Sequence, residues 1–388
     1  MIQRNVLRLL SAFLICLLCF GLVSCNTENP SPEAESPQPS TEQTPENESD
    51  ADDEKKVVSA TYALGEVKDR IKVLGRTSMV GTGISCDFTA SGIEFSAYME
   101  GDVKLHLSCT ETTYYSVYVD GVQLSERCLV NPTDSVITLA SFEEGGVHTI
   151  RILKQTEAQY ALSVLNALEM TGYWLDPPQE KKFYIEFIGD SISCGFGNLA
   201  TSNIPSTEVL DNAQLYSDGT QSFAFLASEK LNADCSVVGC GGIGLVTTGY
   251  CPFVESEFYT KQSYFRSSSQ EYTPERTPDL VVINLGTNDE NYSVRDDQYI
   301  EKVKELIALV RETYGENVSI VWCYNMMNES KADALKTAIA DLNGTYAGLY
   351  LCELSRNRNG GAGHPDVAGH ITASEELVTL IQENRLLT

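Results

Sequence analysis

Four short motifs between residues 189 and 366 contain residues that could carry out acyl transfer. This chemistry needs a nucleophile, a base and hydrogen-bond donors for an oxyanion. Ser191, in Gly-Asp-Ser, suits the nucleophile, and His364 suits the general base because imidazole titrates near neutral pH. The backbone N–H groups of Ser191 and Gly242 and the side-chain amide of Asn288 could form the oxyanion hole, since glycine at 242 permits close approach to a substrate.

Each motif alone also has a simpler explanation. Asp190 would stabilise a turn, and Gly-Thr-Asn-Asp could cap a helix, with Asp289 holding the loop that presents Asn288. A His before a Pro, as at 364, is commonly a surface residue. The glycine-rich run at 239–244 could cradle a phosphate, but it lacks the Lys and Ser/Thr of a P-loop. The order of the motifs, each after a predicted strand, favours one shared site.

Near residue 182 the sequence begins to alternate between strand-like and helix-like patterns. These patterns predict the strands and helices that position the four motifs. Strand-like runs lie at 184–188, 235–239, 280–285, 319–323 and 349–352, and helix-like runs at 222–231, 297–314, 331–342 and 373–385. Nearly continuous apolar strands between amphipathic helices predict a parallel sheet covered on both faces. In such α/β folds, active sites lie at the carboxyl ends of the strands.

A different pattern precedes this region. Between about 57 and 173, short runs alternate apolar and polar residues, as in strands with one buried face, and turn signals such as Glu100-Gly101-Asp102, Asp120-Gly121 and Glu144-Gly145-Gly146 separate them. We therefore predict a β-sandwich of jelly-roll type at 57–177, ended by Asp176-Pro177-Pro178, and an α/β domain at 178–388.

The first 25 residues predict an export leader. Basic residues precede an apolar run at 9–23, which is shorter than the about 20 residues that span a bilayer. The run ends in Leu22-Val23-Ser24-Cys25, which resembles the bacterial lipobox and makes Cys25 the predicted lipidation site. The alternatives are an ordinary secretory signal and an uncleaved membrane helix. Residues 26–56, rich in Pro, Ser, Thr and acidic side chains, predict a disordered tether on the outside of the membrane.

Charge and cysteine usage limit the partners and cofactors. The formal net charge of −27 argues against a nucleic acid or an anionic membrane surface as a partner, because both require a cationic face. Beyond Cys25 the chain has nine cysteines, an odd number with no zinc-like spacing and no evident disulfide framework. We expect the protein to need no metal and no cofactor and to be a monomer. We expect it to contact the membrane only through its N-terminal lipid.

The four motifs resemble the SGNH (GDSL-type) hydrolase superfamily, whose name-giving residues correspond in order to Ser191, Gly242, Asn288 and His364. The nucleophile block at 185–198 looks like that of carbohydrate esterase family 2. Features of the preceding region add to the likeness: Gly75-Arg76, Asp120-Gly121 and Lys154-Gln155-Thr156-Glu157. The resemblance covers about residues 65–380. It implies a three-layer hydrolase domain behind a β-sandwich, and deacetylation of plant polysaccharides such as xylan and glucomannan.

The sequence departs from many SGNH enzymes at one position. Those enzymes carry an Asp two or three residues before the His, where this chain has Ala362 and Gly361. A Ser–His dyad also occurs in family 2, so a backbone carbonyl or another acid would orient His364. Asp366 is expected to point elsewhere. Trp322 is a candidate sugar platform, but a buried core position is the stronger expectation.

The sequence thus predicts a surface-anchored, metal-independent carbohydrate O-acetyl esterase that binds an acetylated polysaccharide or oligosaccharide. Two alternatives stay open at this point. One is a non-catalytic glycan-binding lipoprotein, motivated by the missing Asp before His364. The other is an esterase that acts on O-acetyl groups of a bacterial cell wall or capsule.

Overall fold

A computed structural model describes residues 56–249, 251–264 and 270–388 of the chain. The predicted leader at 1–25, its lipidation site Cys25 and all but the last residue of the predicted tether lie outside the described residues. Within the described ranges, no helix is both long enough and apolar enough to cross a membrane.

The N-terminal part of the described chain folds into antiparallel strands around an apolar core. These strands are β1 (Val58–Ala63), β2 (Ile71–Leu74), β3 (Ser78–Val80), β4 (Gly83–Ser85), β5 (Gly92–Cys109), β6 (Thr113–Val119), β7 (Val122–Gln123), β8 (Cys128–Val130), β9 (Val136–Lys154) and β10 (Ser163–Trp174). They pair in the order β3-β4-β10-β5-β9-β6-β7, while β1, β2 and β8 pair with β10, β5 and β6. Alternate residues of β5, among them Phe95 and Leu105, are fully buried, so one face of the sheet covers the core.

Two of the predicted turns are wrong, because they lie inside long strands. Glu100-Gly101-Asp102 lies within β5, and Glu144-Gly145-Gly146 lies within β9. The register of this strand pair jumps from Met99–Gly146 to Gly101–Phe142, which is a bulge that bends both strands without ending them. Asp120-Gly121 does form a hairpin turn, since both residues have positive φ and Val119 pairs with Val122.

The second sheet is parallel, as predicted. Its strands are β11 (Phe183–Gly189), β12 (Ala233–Gly239), β13 (Leu280–Asn284), β14 (Ser319–Tyr324) and β15 (Leu349–Glu353), in the order β12-β11-β13-β14-β15. All five residues of β13 are buried, because helices cover both faces of the sheet.

The helices of the described part lie between these strands and after the last one. They are α1 (Ser206–Asp211), α2 (Ala213–Tyr216), α3 (Phe223–Lys230), α4 (Glu255–Tyr259), α5 (Thr287–Asn291), α6 (Asp296–Tyr314), α7 (Ala332–Leu342) and α8 (Val367–Glu383). Residues of α6 and α7 cover one face of the parallel sheet, and residues of α3 and α8 cover the other. The last helix begins at Val367, earlier than the predicted residue 373, because the side chain of Asp366 accepts a hydrogen bond from Gly369 N and caps it.

A buried ion pair joins the loop after β2 to strand β11. Arg76 Nη2 lies 3.0 Å from Glu186 Oε1, and both side chains are almost fully buried. Arg76 Nη1 also donates to the carbonyl oxygen of Tyr259 at 2.6 Å. The other oxygen of Glu186 accepts from the hydroxyl groups of Tyr259 at 3.0 Å and Tyr314 at 2.9 Å. This network fixes the antiparallel part to the strand that leads to Ser191.

We predict that Arg76→Ala lowers the free energy of unfolding by about 3–5 kcal/mol, because it leaves the Glu186 carboxylate buried without its cation. The measurement is urea denaturation followed by circular dichroism. Arg70→Ala is the control, since Arg70 is partly exposed, 3.8 Å from Asp69, and should cost less than about 1 kcal/mol. Equal losses for the two variants would contradict a structural role of the buried pair.

Candidate active site

Parallel pairing brings three of the four motifs to one edge of the sheet. Gly189, at the end of β11, pairs with Gly239 of β12 and with Asn284 of β13. The chain therefore leaves all three strands at the same level, and Ser191, the loop that contains Gly242, and Asn288 follow within a few residues. His364 comes from the segment between β15 and α8.

The structure brings Ser191 and His364 into direct contact. Ser191 Oγ lies 2.8 Å from His364 Nε2, a distance for a hydrogen bond that lets the imidazole take the hydroxyl proton. The side chain of Asp190 does not reach either reacting atom in this contact. One of its oxygens instead accepts from the backbone N–H of Ile192 at 2.9 Å, as expected for a residue that stabilises the turn. Burial raises the pKa of Asp190 to about 7.

Among the residues that the structure describes, no carboxylate bonds to the ring of His364. Its Nδ1 atom is buried and has no hydrogen-bond partner in the described residues. Asp366, two residues further on, is directed to its own helix, where it caps α8 and accepts from Asn357 at 3.0 Å. The backbone carbonyls of Ala362 and Gly361 favour the protonated imidazole, but no hydrogen bond joins either of them to Nδ1 within the described residues.

The pKa of His364 lies below its ordinary range. Burial lowers it to about 4, and the carbonyl groups of Ala362 and Gly361 offset this effect only in part. The residue as a whole keeps some solvent exposure, but the ring packs on Phe196 with its centroid 4.7 Å from that ring. At neutral pH the imidazole is therefore neutral, which is the state a general base requires.

Two backbone N–H groups of the predicted oxyanion hole have no internal partner among the described residues. The N–H groups of Ser191 and Gly242 donate no hydrogen bond to any other residue in the described ranges. Gly242 has a φ of +81°, a conformation that glycine adopts without strain, and this directs its peptide away from regular pairing. Free N–H groups beside a nucleophile are what an oxyanion hole requires.

Asn288 is held beside the same loop. Its Nδ2 atom donates to the carbonyl oxygen of Ile243 at 2.8 Å and lies 3.3 Å from Asp190 Oδ2. The bond to Ile243 fixes the amide next to Gly242, and the longer contact is the weaker of the two. The predicted oxyanion donors thus lie on three neighbouring segments.

Asp289 acts on a different loop from the one expected. Its carboxylate accepts from the backbone N–H groups of Leu245 at 2.9 Å, Val246 at 2.9 Å and Thr247 at 3.2 Å. These residues belong to the loop after β12, so Asp289 ties the Gly242 loop to α5 rather than only supporting its own segment. A carboxylate with three such donors is well compensated for its burial.

A second carboxylate of this kind was missed as a site residue. Glu157, in the connection between β9 and β10, accepts a hydrogen bond from the backbone N–H of Gly241. Burial raises the pKa of Glu157 to about 7. The sequence indicated Glu157 only as part of the Lys154-Gln155-Thr156-Glu157 run that contributes to the family resemblance. All four residues of this run are buried. The antiparallel part therefore supplies a group that orients the peptide next to Gly242.

The aromatic residues near the dyad differ from the sequence candidate. Trp322 is fully buried in the core, where its indole N–H donates to the carbonyl oxygen of Leu285 at 3.2 Å. Phe196 packs on His364, and the half-buried Tyr160 stacks on Phe196 with ring centroids 5.9 Å apart. Among the described residues, no group of three or more His, Cys, Asp or Glu could hold a metal ion.

Comparison with known families matches both parts of the chain. Residues 73–178 match the carbohydrate esterase 2 N-terminal family, and residues 187–370 match the GDSL-like lipase/acylhydrolase family. The second match contains the Ser191, Gly242 and Asn288 motifs and His364.

Individual relatives agree with these matches. The chain is 31% identical over 243 residues to the cellulase/esterase CelE of Acetivibrio thermocellus, covering 60% of this chain but only 28% of that protein. It is 24% identical over 264 residues to an acetylxylan esterase/glucomannan deacetylase of Cellvibrio japonicus, covering 62% of this chain and 70% of the relative. A family two carbohydrate esterase from Clostridium thermocellum, solved in complex with cellohexaose, superposes with a TM-score of 0.75 at 26% identity, covering 82% of this chain and 100% of that one.

We predict that the acid limb of kcat/KM for ester hydrolysis that His364 controls has an apparent pKa of about 4. His364 must be neutral to accept the proton of Ser191, and its pKa is lowered to about 4 by burial. The measurement is a pH–rate profile with a soluble aryl acetate. Circular dichroism at each pH is the control for unfolding, and an acid limb near 6.5 in folded protein would contradict a buried imidazole.

We predict that Glu157→Ala lowers kcat about tenfold with a smaller change in KM, because the Gly241 peptide loses its acceptor and the Gly242 N–H loses its orientation. Complete removal of an oxyanion donor costs about 100- to 1000-fold, so a misplaced donor should cost less. Glu157→Gln keeps an acceptor oxygen and should retain most of the activity. A loss in Glu157→Gln as large as in Glu157→Ala, measured by steady-state kinetics, would rule out this positioning role.

Proposed function

We propose that this chain, which belongs to the GDSL-like lipase/acylhydrolase family and carries a carbohydrate esterase 2 N-terminal domain, removes O-acetyl groups from plant cell-wall polysaccharides such as xylan and glucomannan. The observation that carries the proposal is the 2.8 Å contact between Ser191 Oγ and His364 Nε2, next to the unpaired N–H groups of Ser191 and Gly242. This arrangement suits a serine ester hydrolase.

The first half-reaction forms an acetyl-enzyme. Ser191 Oγ attacks the acetyl carbonyl carbon while His364 Nε2 takes the hydroxyl proton. The tetrahedral intermediate then collapses, the bond between the carbonyl carbon and the sugar oxygen breaks, and the proton passes from Nε2 to that sugar oxygen. The polysaccharide leaves with a free hydroxyl group, and Ser191 carries the acetyl group.

The second half-reaction releases acetate. His364 takes a proton from a water molecule, whose oxygen attacks the acetyl carbonyl carbon. The bond to Ser191 Oγ breaks as the second tetrahedral intermediate collapses, and Oγ receives the proton from Nε2. The enzyme returns to its starting state, with no redox change and no group retained.

Three donors stabilise the oxyanion in both steps. The N–H groups of Ser191 and Gly242 are unengaged beforehand, so they cost no internal hydrogen bond when they bind the oxyanion. The amide of Asn288 keeps its 2.8 Å bond to Ile243 O and exchanges its longer, 3.3 Å contact with Asp190 for the oxyanion. Removing a weak contact to form a charge-assisted one favours the transition state.

The substrate class rests on the relatives. One carries the name acetylxylan esterase/glucomannan deacetylase, and the superposed structure binds cellohexaose. The chain spans only about a quarter of CelE, so the cellulase part of that name is not carried over. The net charge of −27 disfavours polyanionic glycans by repulsion, which supports a neutral acetylated polysaccharide over an acidic wall or capsule polymer.

The location is also part of the proposal. The leader at 1–25 with its lipobox Cys25 supports an extracytoplasmic protein with an N-terminal lipid anchor, and the acidic segment that follows would hold the catalytic part away from the membrane. A monomer is sufficient for the reaction, because all the proposed donors and both members of the dyad come from one chain.

We predict that Ser191→Ala lowers kcat for acetate release from acetylated xylan and acetylated glucomannan by about a thousandfold or more, because the acetyl-enzyme cannot form. Acetate is measured by an enzyme-coupled assay on the purified full-length protein. Ser193→Ala is the matched control, since this neighbouring hydroxyl is buried and makes no hydrogen bond in the described residues.

Two outcomes would contradict the proposal in different ways. Full acetate release by Ser191→Ala would exclude Ser191 as the nucleophile. No release by the folded wild-type protein, together with tight binding of the same polysaccharides, would favour a glycan-binding protein. Acetate release only from acetylated bacterial wall or capsule material would indicate that the substrate is a bacterial glycan.

A further inference from the structure

Two thiols flank the segment that carries Gly242, and the proposed reaction uses neither of them. Cys240 directly follows β12, and Cys251 lies eleven positions further along the chain. Their Sγ atoms are only 3.2 Å apart, and both side chains are buried. Two non-adjacent thiols in contact within a buried site can be linked without a large movement of the backbone.

The thiol pair contacts the peptide units that place the oxyanion donor. Cys251 Sγ donates to the carbonyl oxygen of Gly241 at 3.0 Å. The N–H of the same residue is held by Glu157, and the next residue is Gly242. Cys240 Sγ also lies 3.8 Å from the side-chain oxygen of Gln159. The two sulfur atoms therefore lie against the peptide unit that joins Gly241 to Gly242.

We propose that Cys240 and Cys251 form a disulfide bond in the exported protein, and that this bond holds the Gly242 loop in its catalytic conformation. The predicted export leader supports an oxidising environment, where such bonds persist. The effect on catalysis rests on the proposed esterase function, whereas the bond itself does not.

The reaction is an exchange with an external disulfide, RSSR, such as oxidised glutathione or a thiol–disulfide oxidoreductase. One cysteine thiolate attacks RSSR, forms a mixed disulfide and releases RSH after proton uptake. The second thiolate attacks the cysteine sulfur of that mixed disulfide and releases the second RSH. Cys240 and Cys251 lose two electrons and two protons in total, and RSSR gains them.

The exchange takes place while the chain folds. The hydrogen bond with Cys251 and burial both raise the pKa of the Cys240 thiol, so little thiolate exists in the folded, reduced protein. Both sulfur atoms are also shielded from a bulky oxidant. Once formed, the bond is shielded from reductants in the same way, and it restricts the unfolded chain.

The first experiment maps the bond independently of activity. The full-length protein is refolded with oxidised and reduced glutathione, quenched at acid pH, unfolded in urea with excess N-ethylmaleimide and digested without reduction. Mass spectrometry is expected to identify a peptide pair linked through Cys240 and Cys251, with the remaining cysteines of the described part alkylated. Alkylation of both residues in protein that had refolded before the quench, or a link from Cys240 to any other cysteine, would overturn the proposal.

The second experiment measures what the bond does. Reduction with dithiothreitol under mildly unfolding conditions, followed by refolding, should lower kcat for acetate release about tenfold with little change in KM, less than the loss of a whole oxyanion donor. It should also lower Tm by several degrees. The Cys240→Ser/Cys251→Ser variant should have the kcat and Tm of the reduced protein, and dithiothreitol should change neither value. Cys109→Ser, on the antiparallel part, is the control and should have the kcat and Tm of the wild type.

The outcomes separate this proposal from the proposed function. A mapped bond whose reduction changes neither kcat nor Tm would overturn the proposed role in holding the loop. A mapped bond that raises Tm in a protein without acetate release would support the bond and contradict the esterase function. A dithiothreitol effect equal in the wild type and in the double serine variant would assign the effect to other thiols and overturn the proposal.

Discussion

The pairing of β11 with both of its neighbours is the constraint on which the site depends. Gly189 pairs with Gly239 on one side and with Asn284 on the other, so three strands end at one level. A one-residue slip would turn Ser191 and Asn288 away from each other, because side chains alternate between the two faces of a sheet. The buried pair between Arg76 and Glu186 then attaches the antiparallel part to this same strand.

The loop after β12 is the part of the site that most needs outside support. It must leave the N–H of Gly242 unpaired, and an unpaired buried donor is costly until substrate arrives. Carboxylates from two sides restrain the neighbouring peptides: Asp289 binds three N–H groups beyond Gly242, and Glu157 binds the one before it. The antiparallel part thus contributes directly to the arrangement of the site, and the thiol pair at Cys240 and Cys251 lies where the same loop begins and returns.

Local patterns predicted the parallel sheet well, because its strands are short, apolar and separated by clear helices. The same local patterns gave wrong predictions where the course of the chain depends on hydrogen bonds between neighbouring strands. Gly101 reads as a turn, yet cross-strand hydrogen bonds carry β5 through it as a bulge. The predicted start of α8 at residue 373 is also too late, because the side chain of Asp366 caps the helix and lets it begin at Val367.

Sequence by itself determined which residue types are available for the proposed reaction, since Ser191, Gly242, Asn288 and His364 follow strands of a predictable parallel sheet. Only the tertiary structure decided what surrounds them. Within the described residues, it left Nδ1 of His364 without a hydrogen-bond partner, directed Asp289 to the Gly242 loop, and brought Glu157 across from the antiparallel part. Chemical identity and order along the chain are local properties that a sequence records. Burial and contacts between distant segments set the pKa values and hydrogen-bond partners, and they arise only when the chain is packed.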